Sequence, residues 1–330
     1  MIEMARIVVL GAGMIGKFVA SRLSEHDLLV VDNCQESLNG LDCETLCGSA
    51  FDVLSMEDVD VWVNMLPGRV GHAVRQPLLN KNQTIVDLAF TPEDPRNLQG
   101  GRMVYDVGIA PGLSNLWSAA IKDIEKLEIK VGGIPCQPDD GWSYMAPFSP
   151  SDVIEEYTRP ARVIIAGEQK EIPPLEMRHM VEIENVGTLE AAITDGLRSL
   201  LDTIEADSML EYTLRWPGHY DKWLASSQDE ELANEWQFDS SREEMTVMTV
   251  AATTKGGEWN GYLIDYGKGG DSSMARTTGL VTLAAIDAAL AGLIPEGVHP
   301  PEGVVGLLPL AEKRLQDAGV QIKRDSFFLE

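Results

Sequence analysis

Four apolar residues, Ile7-Val8-Val9-Leu10, run without a break into Gly11-Ala12-Gly13-Met14-Ile15-Gly16, and no other stretch narrows the possible folds as much. A short apolar run of this kind is the pattern of a strand buried on both faces. Lys17 to Leu23 then reads as an amphipathic helix, and Leu28-Leu29-Val30-Val31 as a second buried strand ending in Asp32. Strand, Gly-x-Gly-x-x-Gly, helix, strand and a terminal acid within about thirty residues form a dinucleotide-binding fingerprint. Gly11 permits the tight turn, Gly13 lets the backbone approach a pyrophosphate, and Gly16 lets the helix pack closely on the sheet. Ala12, Met14 and Ile15 complete the loop and the helix start, whose N–H groups and partial positive charge face the phosphates. Asp32 stands where a carboxylate takes the adenosine ribose hydroxyls. Asn33-Cys34-Gln35 follow, with no Arg or Lys to meet a 2′-phosphate, so the expected cofactor is NAD rather than NADP.

The strands after Asp32 extend this pattern. A short third strand is expected before Gly48. Further buried strands are expected at Asp60 to Leu66, Thr84 to Ala89 and Met103 to Gly108, joined by helices such as Val70 to Asn80. This alternation is that of an α/β, doubly wound parallel sheet of the Rossmann kind, whose ligands sit beyond the carboxyl ends of the strands. Met65, Leu66 and Pro67 fall at one such end and are assigned to the cofactor together with Asn33. Asp87 and Asp106 fall at two others.

Beyond Lys122 the periodicity changes. Leu127 to Val131 alternates apolar and charged residues, as a half-exposed strand does. Ala161 to Ala166, Met180 to Glu184 and Met209 to Trp216 are further strands, and Met245 to Val250 and Trp259 to Asp265 flank Gly256-Gly257 as a hairpin. Leu189 to Ala206 reads as a helix, Ser272 to Leu293 as a long buried helix, and Leu310 to Asp317 as a last helix before a short polar tail. The second domain is therefore an inserted α+β domain with a mixed or antiparallel sheet. The expected division is 1–118 with about 272–330 for the nucleotide domain, and 119–271 for substrate binding and dimerisation.

Composition limits the partners. With 52 acidic against 26 basic side chains the formal charge is −26, which repels nucleic acid and anionic membranes. No apolar run approaches the length of a membrane span. The first residues enter β-structure without a signal-peptide pattern, so a cytoplasmic location is expected. Cys34, Cys43, Cys47 and Cys136 are too few for a disulfide scaffold and complete no ligand set; reduced, structural thiols and no metal are expected.

Asp106-Val107-Gly108-Ile109-Ala110-Pro111-Gly112-Leu113-Ser114-Asn115 resembles the saccharopine dehydrogenase-like superfamily. Glu156-Tyr157-Thr158-Arg159-Pro160-Ala161-Arg162-Val163-Ile164, Asp195 to Leu201, and Tyr212-Thr213-Leu214-Arg215-Trp216-Pro217-Gly218-His219 are similar to its L-lysine 6-dehydrogenase branch. The resemblance implies NAD-dependent oxidative deamination of the ε-amino group of L-lysine, or of a close amine, to 2-aminoadipate 6-semialdehyde, ammonia and NADH. It also implies a homodimer built through the second domain. One departure stands at Gly141 to Pro150, where Pro147-Phe148-Ser149 replaces the Thr-Trp-Ser expected before a proline. If that loop lines the pocket, the substrate is a relative of lysine. Two alternatives stay open: a reductase that condenses an amine with an aldehyde or keto acid, as saccharopine and carboxynorspermidine dehydrogenases do, and a non-catalytic NAD-binding regulator.

Roles follow from the chemistry. A lysine amine titrates near about 10.4, so a base must take its proton before hydride leaves. His219 is the leading candidate, and Asp87 or Asp106 can act as the base or hold the ammonium; turn and helix capping are the structural alternatives. An α-carboxylate suits an Arg fork, for which Arg215 and Arg159 are the candidates, with Tyr157 and Asn115 as polar lining.

Overall fold

The computed structural model describes residues 4–146, 150–228 and 230–327. The chain forms two compact units, each assembled from two pieces: Met1–Leu113 with Ala275–Asp317, and Ser114–Met274 with Ala318–Glu330. The first piece contributes β1 (Arg6–Leu10), β2 (Asp27–Asp32), β3 (Glu44–Cys47), β4 (Val61–Asn64), β5 (Thr84–Asp87) and β6 (Arg102–Val104). The second unit follows with β7 (Ile124–Pro135), β8 (Ala161–Ile165), β9 (Glu168–Ile172), β10 (His179–Ile183), β11 (Gly187–Ile193), β12 (Ser208–Arg215), β13 (Glu244–Thr254) and β14 (Gly257–Tyr266). The helix Ser273–Leu290 leads to β15 (Gly297–His299), the helix Leu307–Asp317 and finally β16 (Gln321–Arg324).

In the first unit seven strands pair in the order β15-β6-β5-β4-β1-β2-β3, every pair parallel. This is the Rossmann arrangement with one added strand at the β6 edge. Val8, Leu10, Trp62, Ile85 and Met103 meet in one core on one side of the sheet. Elsewhere in the unit the helix Met14–Ala20 packs so close to the long helix that a Cβ on Gly279 would lie 2.4 Å from the Phe18 ring. β6 is shorter than the sequence suggests. The Tyr105 N–H still donates to the His299 carbonyl, but Asp106 takes a positive φ of 57°, which ends the extended run.

One ion pair fixes the strand ends at the carboxyl edge. Arg75 comes from the helix Gly68–Leu79 and Asp87 ends β5, and both are fully buried. Arg75 Nη2 and Nε donate to the two Asp87 oxygens at 2.6 and 3.0 Å. Asn64 Nδ2 donates to the same carboxylate at 2.6 Å, and Arg75 also reaches the Thr91 hydroxyl and the Ala89 carbonyl. The ends of β4 and β5 and the loop after β5 are therefore held by one guanidinium.

The second unit is a nine-stranded mixed sheet, with the path β10-β11-β12-β7-β13-β14-β16 and β8-β9 joined to β12. β12 runs parallel to β7, and the other pairs are antiparallel. Two expectations are corrected here. Leu189 to Ala206 is not one helix: Gly187–Ile193 is β11, and only Leu200–Thr203 is helical. Leu189, Ala191 and Ile193 enter one core face, and pairing on both sides with β10 and β12 outweighs the helix propensity of the Leu-Glu-Ala-Ala run. The polar tail is also a strand. β16 pairs with β14 from Gly261↔Arg324 to Ile264↔Gln321, and Phe327 stacks on Trp259 with ring centres 5.5 Å apart. The last residues thus complete the second unit rather than the nucleotide domain. All four cysteines are free thiols, and Cys34 and Cys47 are exposed rather than part of a core. No helix among the described residues is long and apolar enough to cross a membrane.

Removing one member of a buried ion pair strands the other charge. Arg75→Met is therefore expected to lower the unfolding free energy by about 3–5 kcal/mol in urea titrations. Arg96→Met, which breaks the half-exposed pair with Asp94, should cost about 0–1 kcal/mol. Equal losses in the two variants would refute the role given to Arg75.

Candidate functional site

The first unit carries a turn shaped for a dinucleotide. Gly11 has φ +102° and donates its N–H to the Val31 carbonyl at 2.8 Å; a Cβ there would lie 2.8 Å from the Met65 carbonyl oxygen. A Cβ on Gly16 would meet the Gly11 carbonyl oxygen at 2.1 Å, so the helix can start this close only with glycine. Gly13 differs from both. It is extended, its side chain position has no atom within 4 Å, and no side chain caps the helix that begins at Met14. The backbone is bare where a phosphate needs to approach, and the first N–H groups of the helix have no intrahelical acceptor. Asp32 is held beside this turn, taking the Ala12 N–H at 2.7 Å and the Cys34 N–H at 2.8 Å. Asn33 is exposed next to it. Met65, whose N–H donates to the Leu10 carbonyl, and Leu66 and Pro67 follow β4 along the same edge. The residues present fit a dinucleotide: space at Gly13, donors at the helix start, and an acceptor at the end of β2.

The second unit brings three of the candidate residues into one buried chain. β12 is covered on both faces. Leu210, Tyr212 and Leu214 enter an apolar core, while Glu211, Thr213 and Arg215 share the opposite face at the two-residue period of a strand. Arg215 Nε donates to the Tyr157 hydroxyl at 2.6 Å, and that hydroxyl lies 3.0 Å from His219 Nε2. His219 Nδ1 lies 3.0 Å from the Trp142 carbonyl oxygen. A carbonyl only accepts, so Nδ1 carries the proton and Nε2 accepts from Tyr157. The order is Arg215 to Tyr157 to His219 to Trp142, with Arg215, Tyr157 and His219 all at most 3% exposed.

Electrostatics set the state of each member. Burial, and then the Arg215 charge, push the His219 ring down to about 3. Burial raises the Tyr157 phenol well above its ordinary range and the Tyr144 phenol to about 12. Burial opposes the Arg215 charge, but attraction to the Tyr157, Tyr144 and Tyr220 oxygens and to the Glu156 carboxylate offsets it, and its pKa is raised. The cluster is therefore one fixed cation among neutral rings. His219 is neutral, and both its nitrogens are engaged, so it holds Tyr157 in place and has no lone pair left for a substrate proton. On the same strand face burial pushes Glu211 up to about 8; its carboxyl takes the Thr194 hydroxyl at 2.6 Å and the Gly196 N–H at 3.1 Å.

The other candidates stand apart from this chain. Arg159 pairs with Glu155 at 3.0 Å and lies 3.9 Å from Asp195, which Arg162 already holds through two bonds of 2.8 Å. Asn115, fully buried in the helix Leu113–Ala120, donates to the Ser199 hydroxyl at 3.1 Å. Asp106 is buried at its strand end, and Asp87 is committed to Arg75. Pro147, Phe148 and Ser149 lie outside the described residues. Among the described residues no group of three or more His, Cys, Asp or Glu side chains is placed to hold a metal ion.

Sequence reasoning missed Arg75 and the aromatic wall. Arg75 sits one turn before Leu78 and Leu79, on the buried face of its helix, and that spacing is a readable signal. Trp142, Tyr144 and Trp236 surround His219 with ring centres 5.7, 5.1 and 5.9 Å away. Their only trace in the sequence is the aromatic density of 142–144 and 216–236.

Comparison with known proteins agrees with this architecture. Residues 108–235 match the family model described as the saccharopine dehydrogenase C-terminal domain. The fold is similar to that of apo saccharopine dehydrogenase (L-Glu forming) from Saccharomyces cerevisiae, with a TM-score of 0.76 and 16% identity over 98% of this chain and 100% of that one. It is also similar to homospermidine synthase from Legionella pneumophila in complex with NAD, with a TM-score of 0.72 and 12% identity over 97% of this chain and 91% of that one. At these identities the likeness is one of fold.

The depressed His219 has a consequence for stability. Below pH 6.5 the unfolded chain binds a proton at this ring, whereas the folded ring stays neutral down to about 3. Stability at this residue is thus complete above pH 6.5 and is lost on acidification through that window, by at most about 1.4 kcal/mol per pH unit. Denaturation midpoints of His219→Gln should fall less steeply than those of the parent between about pH 6.5 and 4.5. Parallel slopes would contradict a neutral buried ring.

Proposed function

We propose that this chain is an NAD-dependent oxidoreductase acting on an amine carried by an amino acid, and that its reaction is oxidative deamination of the ε-amino group of L-lysine. The observation that carries this reading is Arg215. Its guanidinium is buried, and among the described residues no carboxylate oxygen lies within ion-pair distance of it. The Glu156 carboxylate acts on it only from beyond contact; a buried cation without a contacting partner is costly, and a substrate carboxylate supplies that partner in the bidentate form that arginine prefers. Tyr157 accepts from Arg215 Nε and the Leu214 carbonyl from Nη1, so Nη2 and the second Nη1 proton are the donors assigned to the ligand.

The first unit supports the cofactor half of the reading. Gly13 and the start of the helix Met14–Ala20 hold the pyrophosphate, Asp32 the adenosine ribose, and Met65 to Pro67 the far side of the turn. The absence of Arg and Lys after Asp32 favours NAD over NADP. When bound, NAD supplies the acceptor for the hydride of the ε-carbon. The overall balance converts R–CH2–NH3+, NAD+ and water into R–CHO, NH4+, NADH and a proton. Asp106, buried at the carboxyl edge of the parallel sheet, is the proposed proton acceptor. Fold likeness to a saccharopine dehydrogenase and to a homospermidine synthase supports amine chemistry, and it also favours a second reading in which an amine is condensed with an aldehyde or keto acid and reduced.

Purified protein with NAD and L-lysine is expected to yield NADH and ammonia in equal amounts. Absence of turnover together with reductive condensation would move the assignment to the second reading, and tight NAD binding without turnover of any amine would leave a regulator. Arg215→Ala is expected to raise the KM for lysine about a hundredfold, the loss of about 3 kcal/mol typical of a charged hydrogen-bonded partner, and to leave the KM for NAD within about twofold. Equal rises in both would make Arg215 a structural residue.

A further inference from the structure

Two buried polar atoms in the aromatic wall have no hydrogen-bond partner among the described residues: the Tyr144 hydroxyl and the Trp236 indole Nε1. Both side chains are at most 2% exposed. A buried donor left unpaired is costly, and native cores rarely keep one without a reason. Here two occur on touching rings, with centres 5.3 Å apart. The Tyr144 ring also lies 4.4 Å beneath the Arg215 guanidinium and 5.1 Å from the His219 ring.

We infer that Tyr144 and Trp236 are specificity-determining residues, and that their O–H and N–H donate to the substrate carboxylate whose charge Arg215 neutralises. The inference rests on the amino-acid substrate proposed above and names the residues that select it. The sign of the site decides the ligand class. An indole N–H only donates, a guanidinium only donates, and a neutral phenol can donate. Each of the three groups offered to a ligand can thus donate, and one of them is a cation. An ammonium finds the Tyr144 oxygen as its one acceptor among these three groups and meets the repulsion of Arg215; a carboxylate accepts from all three. The cation over the Tyr144 ring also keeps that ring in place, so its hydroxyl is pre-oriented rather than free to swing. The site therefore discriminates between an amino acid and the diamine left by its decarboxylation, although both carry the reacting amine.

The test uses the whole protein and two probes by calorimetry, 5-aminopentanoate and 1,5-diaminopentane, with L-lysine turnover measured in parallel. The parent should bind 5-aminopentanoate and not the diamine. Tyr144→Phe keeps the ring and removes only the oxygen, and it should weaken 5-aminopentanoate about ten- to hundredfold while NAD affinity is unchanged. Trp236→Phe should do the same, and near-ultraviolet circular dichroism of both variants should retain the aromatic signature of the folded second unit. Carboxylate binding that depends on Tyr144 and Trp236, without any lysine turnover, would sink the deaminase reading and uphold this one. Equal affinity for the diamine, or unchanged 5-aminopentanoate affinity in both variants, would overturn the inference.

Discussion

Taking a guanidinium out of water is among the more costly things a fold can do, and the second unit does it at Arg215. The surrounding structure is arranged to make that possible. Tyr157 accepts from Nε, the Leu214 carbonyl accepts from Nη1 at 2.9 Å, and the Tyr144 ring faces the delocalised charge. His219 is drawn in as the acceptor for Tyr157, and its own proton goes to Trp142. None of these groups is a carboxylate. The arrangement stabilises the cation enough to persist without neutralising it, which is the condition for an electrostatic site that keeps its attraction for an incoming anion.

The first unit solves the opposite problem with the same residue type. Arg75 is as deeply buried as Arg215, but its charge is met completely by Asp87. The one arginine holds the ends of β4 and β5, and the other has no carboxylate in contact among the described residues. The difference lies in the partner and not in the depth of burial, so burial of a charged side chain alone would not separate a structural from a functional arginine here.

How far the sequence was legible follows the range of the interactions. The fingerprint from Ile7 to Asp32 was readable because its requirements are local: a φ that only glycine takes easily at Gly11, a close approach at Gly16, and an acid at a fixed distance. The apolar strands of the parallel sheet were readable because both faces are covered. Leu189 to Ala206 was misread because Leu, Glu and Ala favour a helix locally, and only the neighbouring strands decide otherwise. β16 was missed because Gln321-Ile322-Lys323-Arg324 is a half-exposed edge strand with a single apolar residue. In the candidate site Arg215, Tyr157 and His219 were found through family-like motifs. Tyr144 and Trp236 were not, because an unpaired N–H or O–H is a property of three-dimensional surroundings.

The interleaving of the two units bears on how the chain is made. Six strands of the first sheet emerge before residue 114, but β15, which pairs along β6, and most of the helix Ser273–Leu290 come only after the whole second-unit insert. At about 5–20 residues per second that insert takes roughly ten to thirty seconds to synthesise. During that interval the nascent sheet has β6 as an open, unpaired edge and lacks the helix that carries Gly279 to Phe18. The β6 edge stays open until β15 has been made, so during synthesis the first unit carries an exposed parallel edge of the kind that invites mispairing.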